Sequence, residues 1–205
     1  MAKASWLKVD PSTGSGNATV NISSMAPHTG REARYTKLTF TPKEADTVER
    51  VVVQNGKPEF ITLNSETITI SKDGTQVLSI EGQSNSKKLT FRNLSGGFDL
   101  YEPPTYRVNG ALIGNGESLE HMGDPGKTAQ YNFQYMTGPV PSNTTTNELS
   151  KEIEITSEGG INKRCKVIVA ATDPFFNVPT ESIIIESSGQ RVYIDIESNT
   201  SWHIN

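Results

Sequence analysis

A chain of 205 residues that is 34% hydrophobic and 20% charged has room for one or two domains with a buried core. Its formal net charge of -4 argues against a general nucleic-acid binder, which collects a basic surplus on one face, and the pairs Lys87-Lys88 and Lys163-Arg164 read as solvated strand positions. No run approaches the roughly 18 apolar residues of a membrane span, and the start Met-Ala-Lys-Ala-Ser-Trp lacks the apolar centre of a secretory signal. The expectation is a protein with no nucleic-acid and no membrane partner, not secreted by a signal peptide.

Taken in order, the chain alternates short β-rich runs with turn clusters and shows no sustained 3.6-residue apolar period, which predicts an all-β fold with almost no helix. The turn Asp10 to Gly16 leads into the alternating strand Ala18 to Ile22. Strands at Ala33 to Phe40 and Val48 to Gln54 follow, closed by Asn55-Gly56. About four strands are too few for an independent sandwich. Next, Glu66 to Ser71 and Gln76 to Glu81 flank Lys72-Asp73-Gly74-Thr75, where Asp-Gly tolerates the positive φ angles of a tight hairpin. An insertion at about 93-125 carries Phe98, Tyr101, Pro103, Pro104 and Tyr106, and Tyr106 to Ile113 reads as an added strand. Loops on a rigid scaffold often carry recognition, so Phe98, Tyr101 and Tyr106 are the candidate contacts for a partner or a glycan. Strands at Lys151 to Thr156 and Lys163 to Ala170 end this middle unit.

The last thirty-one residues repeat its beginning. Val178, Glu181, Ser182, Ile183, Ile185, Gly189 and Val192 align with Leu63, Glu66, Thr67, Ile68, Ile70, Gly74 and Val77, an offset of 115 (178 minus 63). The strands Lys151 to Thr156 and Lys163 to Ala170 match Ala33 to Phe40 and Arg50 to Gln54 at nearly the same offset. The expected architecture is therefore tandem immunoglobulin-like β-sandwiches. One is complete (58-174, with the insertion), and one is split between an N-terminal half (1-57) and a C-terminal β-hairpin (175-205). The hairpin presents Ile183, Ile185, Val192, Ile194 and Ile196, with Trp202 after them, and the N-terminal half offers Trp6, Val20, Val51 and Val53. These are the candidate self-assembly residues. The linker Ala171 to Phe175 reaches at most about 17 Å, and the two ends of a sandwich lie at opposite poles, so the hairpin is expected to complete a neighbouring copy rather than its own chain.

The chain carries no recognisable catalytic or metal-binding constellation. His28, His121 and His203 lie in different elements, without the Cys or carboxylate spacing of a zinc site. The sequence shows no nucleophile elbow, phosphate-cradling glycine loop or HExxH, so no catalytic residue, metal or cofactor is expected. The single cysteine, Cys165, sits in an apolar strand and reads as a buried thiol.

Asn199-Thr200-Ser201-Trp202, the turn Ser12 to Gly16, Arg31 to Leu38, and Val51-Val52-Val53-Gln54-Asn55-Gly56 together resemble the immunoglobulin-like BACON domain. That family shows an N-x-x-W strand, a Gly-rich turn, an R-x-A strand and a closing V-x-Q-x-G strand. The middle unit departs from it, with Lys87-Lys88 at the tryptophan and Ala170-Ala171 in place of the Gln-x-Gly end. BACON domains are common in secreted Bacteroidetes proteins, where carbohydrate or mucin binding is proposed, and they occur in phages of those bacteria. With no secretion signal and no attached enzyme, the resemblance implies a non-enzymatic auxiliary capsid protein on the virion surface of a crAss-like phage. Its partners would be the major capsid protein or another virion protein and neighbouring copies of itself, with glycan binding as the alternative.

Overall fold

The computed structural model describes residues 3-94 and 96-204, and strands dominate it. In chain order these are β1 (Leu7–Asp10), β2 (Asn21–Ser24), β3 (Arg34–Phe40), β4 (Val48–Gln54), β5 (Ile61–Leu63), β6 (Thr67–Ile70), β7 (Val77–Ser84), β8 (Leu89–Asn93), β9 (Thr105–Val108), β10 (Ala111–Ile113), β11 (Tyr131–Pro139), β12 (Leu149–Ser157), β13 (Asn162–Val169), β14 (Phe176–Asn177) and β15 (Glu197–Ser198). A 3-10 turn (Leu119–Met122) and one α-helical turn, α1 (Pro125–Thr128), precede β11.

Strands β5 to β13 make two sheets, ordered β10-β9-β11-β7-β5 and β6-β13-β12-β8. Their alternation turns one face of each strand inward. Thus β7 buries Leu78, Ile80, Gly82 and Ser84, β11 buries Tyr131, Phe133, Tyr135 and Thr137, and β12 buries Ile153 and Ile155. The hydrophobic core lies between these sheets, with Leu78, Ile80, Leu119, Ile153, Ile155, Val167 and Val169 sealed from solvent. Phe91, Tyr106, Phe133 and Tyr135 meet at its aromatic end, with ring centroids 5.1 to 5.9 Å apart. The Asp73-Gly74 turn forms, with Gly74 at φ 66°, but it does not close the expected hairpin: β6 pairs with β13 in one sheet and β7 with β11 and β5 in the other, so the turn carries the chain across the sandwich.

The insertion is part of this core. β9 lies inside the five-stranded sheet, between β10 and β11, and Phe98, Leu100 and Leu119 are buried. Lys151, itself buried, donates from Nζ to the Phe98 carbonyl at 2.6 Å.

The chain enters this sandwich at Phe60, beside the end of β7, and leaves after β13 at the other pole. The eight residues of β13 alone put roughly 26 Å between the two ends.

Candidate functional site

The N-terminal segment folds as two separate ribbons, β1 with β2 and β3 with β4, and each of these strands has a single pairing neighbour. The register of β3-β4 repeats the sandwich: Arg34 opposes Gln54 there, and Leu149 opposes Val169 in β12-β13, each position displaced by 115. What β6 and β7 supply to the sandwich is missing from the N-terminal side. In their place lies an open apolar groove of about 310 Å³, lined by Val9, Ala18, Val20, Leu38 and Phe40 among others. Leu38 is buried at its floor, while Phe40 is 42% exposed and Ile22 45% exposed.

The C-terminal segment is the complementary piece. Phe175 to Asn199 reproduces, atom for atom, the way the sandwich is entered. The Phe60 amide donates to Asn85 Oδ1 at 3.1 Å and the Phe175 amide to Asn199 Oδ1 at 2.9 Å. Ser84 Oγ donates to the Phe60 carbonyl at 2.7 Å and Ser198 Oγ to that of Phe175 at 3.2 Å. The Ser86 and Thr200 amides donate to Ser84 Oγ and Ser198 Oγ, both at 3.0 Å. Asn85 Nδ2 reaches the Pro58 carbonyl and Asn199 Nδ2 that of Asp173.

These equivalences correct the uniform offset. Asn199 minus Asn85 is 114, whereas the turn bonds Gly74 N to Ser71 O and Gly189 N to Glu186 O are 115 apart. One residue is therefore lost between Gly189 and Glu197. The ladder agrees, since Phe176 opposes Ser198 where Ile61 opposes Ser84. Counted back from Ser198 along an unbroken strand, Val192, Ile194 and Ile196 fall at the positions of Leu78, Ile80 and Gly82, the inward face of β7. Ile183 and Ile185 stand at Ile68 and Ile70.

These side chains are uncovered. Ile183 is 48% exposed and Ile185 62%, and Ile194 and Val192 remain at 38% and 40% while Tyr193 between them reaches 83%. Ile196 is half-buried. Trp202 is 49% exposed and rests on Phe176, ring centroids 6.4 Å apart. Among the described residues, no hydrogen bond or ion pair joins 175-204 to 3-57.

Two expectations about the N-terminal side change. Val51 and Val53 occupy the places of Lys166 and Ile168 and point outward from β4; strand alternation instead puts the half-buried Val52, opposite Thr36, on the face that carries Leu38 and Phe40. Trp6 is half-buried under the Arg34 guanidinium, 4.7 Å from the ring centroid, while Val20 lines the groove as expected. The sequence reading missed Ala18, Leu38 and Phe40 as groove residues, and Asn85 and Asn199 as clamps. The recurring Ser84-Asn85-Ser86 and Ser198-Asn199-Thr200 was the available signal.

The expected contact rings separate as well. Phe98 is buried and Tyr106 packs on Phe91 and Tyr135, because the insertion closes the aromatic end of the core; only Tyr101 stays open to solvent. Among the described residues no group of His, Cys, Asp and Glu is placed to hold a metal.

Between the N-terminal ribbons and the sandwich lies a polar joint. Arg31 donates to both oxygens of Asp124, with Nη1 to Oδ1 at 2.9 Å, and Nη1 also donates to the Asn85 carbonyl at 3.0 Å. The Arg31 and Glu32 amides bond the carbonyls of Gly126 and Lys127. Backbones approach so closely that a Cβ on Gly30 would lie 2.3 Å from the Thr128 carbonyl carbon. Burial acts against the Arg31 charge, but the hydrogen bond and charge of Asp124 outweigh it and raise the guanidinium pKa. At the opposite pole the exit is built alike: Lys57 N donates to Gly30 O at 2.8 Å, and Thr172 N to Thr145 O at 2.9 Å.

Comparison with known proteins agrees with the N-terminal reading. Residues 1–55 match the family model described as "BACON: Putative binding domain, N-terminal". No curated protein matches the chain. Among solved structures, domains 4 and 5 of the S-layer protein SbsC share 12% identity over 83% of this chain and 100% of that one, with a TM-score of 0.35. The major pilin subunit BcpA of Bacillus cereus shares 11% over 70% of this chain and 57% of that one, with a TM-score of 0.34. An endo-fucoidan hydrolase of glycoside hydrolase family 107 shares 11% over 84% of this chain, with a TM-score of 0.33, and this chain spans 23% of its length.

Proposed function

We propose that this BACON-type β-protein is a non-enzymatic structural component that assembles head to tail, the C-terminal segment of one copy completing the N-terminal half-unit of the next. The observation that carries this reading is the pairing of an uncovered groove with an uncovered apolar strand pattern, each matched by a filled counterpart in the same chain's sandwich. Burying five aliphatic side chains at about 1.5 to 3 kcal/mol each gives on the order of 10 kcal/mol gross, before the ordering cost of association. Closure onto its own N-terminus would take the segment back along the roughly 26 Å of β13 from a tether of a few residues. A heterologous contact of this kind propagates as rings or open chains, the form a surface lattice needs. This supports the finer reading, an auxiliary protein on a phage capsid that binds the virion surface and links its neighbours.

Sedimentation of the whole chain against a form truncated after Thr172 tests the assembly. The whole chain is expected to associate in a concentration-dependent series and the truncated form to stay monomeric, with peptide 175-205 binding the latter one to one. A whole chain that remains monomeric at high concentration overturns the proposal. Binding to capsids stripped of the protein tests the virion setting.

A further inference from the structure

Resting on that head-to-tail reading, we infer that residues 182-185 of one copy add to the free edge of β4 of another copy as a parallel strand, with Ile184 opposite Val53, while residues 192-198 pair with residues 16-22, the run that leads into β2. The chain contains its own template. In the sandwich β6 runs parallel to β13, with Lys166 opposite Thr67, Val167 opposite Ile68 and Ile168 opposite Thr69. The ladder is fixed by Lys166 N to Glu66 O at 2.9 Å and Ala170 N to Ile70 O at 3.0 Å. Moved by 115, the donors become Val51 of β4 and Asn55 just after it, the acceptors become Glu181 and Ile185, and Ile168 opposite Thr69 becomes Val53 opposite Ile184. β4 pairs with β3 alone, so those amides have an edge to offer.

Side-chain volumes on the second strand fit the same placement. In the sandwich Phe133 of β11 opposes Gly82 of β7, and a Cβ on Gly82 would lie 2.5 Å from the Phe133 ring, so large faces small. Under the offsets of 115 for residues 16-22 and 114 for the C-terminal strand, the counterparts are Ala18 and Ile196, and small faces large. Tyr135 opposite Ile80 becomes Val20 opposite Ile194. The Ala18 and Val20 side chains line the groove, which leaves the space that Ile194 and Ile196 require. A slip of one residue would turn the apolar set outward, and a slip of two would set Ile196 against Val20.

Val53 and Ile184 are 57% and 73% exposed, so cysteine at either leaves the free copy intact, and Cys165 is fully buried and does not compete. The experiment mixes Val53→Cys copies with Ile184→Cys copies under mild oxidation and, in parallel, Val51→Cys copies with Ile184→Cys copies. Opposed strand positions satisfy disulfide geometry and positions two residues off do not, so the first pair is expected to link into dimers at least about tenfold faster than the second. Equal or reversed rates, in copies that still associate by sedimentation, overturn the register while head-to-tail assembly stands. Absence of both association and cross-links overturns the two together. Linkage confined within one chain of a Val53→Cys, Ile184→Cys double variant shows the same pairing closed in cis and overturns the neighbour as its source.

Discussion

Arg31 donates to both carboxylate oxygens of Asp124, ninety-three positions further along the chain, and is the main charged tie between the N-terminal ribbons and the sandwich. Both side chains are mostly withdrawn from water, so removing one leaves the other poorly solvated. Arg31→Ala is expected to cost about 1.5 to 3 kcal/mol and to uncouple the ribbons from the sandwich. Chemical denaturation should then show an earlier loss of the N-terminal signal, with the sandwich transition little moved. An unchanged single transition would mean that the backbone bonds to Gly126 and Lys127 suffice.

Glu154 gives the clearest dependence on pH. Hydrogen bonds from Arg92 at 2.7 Å and from Arg164 at 3.2 Å, with their charges, hold its carboxyl below the usual 4.5 although burial acts the other way. A folded-state pKa below the unfolded one adds stability above pH 4.5 that is lost as pH falls through the folded value. The difference in Tm between wild type and Glu154→Gln should therefore be full at neutral pH and shrink below about pH 4.5. A difference that is constant with pH would refute this.

Cys165 is sealed between the sheets, and burial, aided by Glu66, pushes its thiol up to about 11. Almost none of it is thiolate at neutral pH, and reagents cannot reach it. Native protein should leave a chromogenic disulfide reagent unreacted for hours, and denaturant should release one thiol at once. Ready labelling of the native state would show that β13 opens on its own.

Fold class was legible because strand periodicity and turn chemistry are local. The repeat was legible because Glu181, Ser182, Ile183 and Gly189 keep the residue types of Glu66, Thr67, Ile68 and Gly74. The phase after the turn was not legible: Val192 matches Val77 by type, and only the bonds of Asn199 and Ser198 reveal that a residue is gone. The facing of Val51 and Val53 failed for a related reason, since Val51-Val52-Val53 is apolar throughout and carries no alternation to read. The insertion misled because Phe98 and Tyr106 look like surface rings in a Pro-rich loop, whereas the sandwich lacked an end and these rings filled it.

Phe98 and Tyr101, three residues apart, should therefore respond in opposite ways. Phe98 packs inside the core while its carbonyl takes the Lys151 ammonium, so Phe98→Ala opens a cavity beside a buried charge. A buried phenylalanine replaced by alanine costs about 3 to 5 kcal/mol, and the loss should appear as a lower denaturation midpoint of the sandwich with an unchanged slope. Tyr101 is 63% exposed and lays its ring over Gly138, where a Cβ would lie 2.7 Å from it. Tyr101→Ala should cost less than about 1 kcal/mol, because little of the ring is withdrawn from water. If the insertion recognises a partner or a glycan, Tyr101→Ala is the change that removes binding on a glycan array or to capsids while leaving the denaturation curve in place. Binding that survives Tyr101→Ala and falls with Phe98→Ala only in step with unfolding would take the insertion out of recognition and leave it as the end wall of the core.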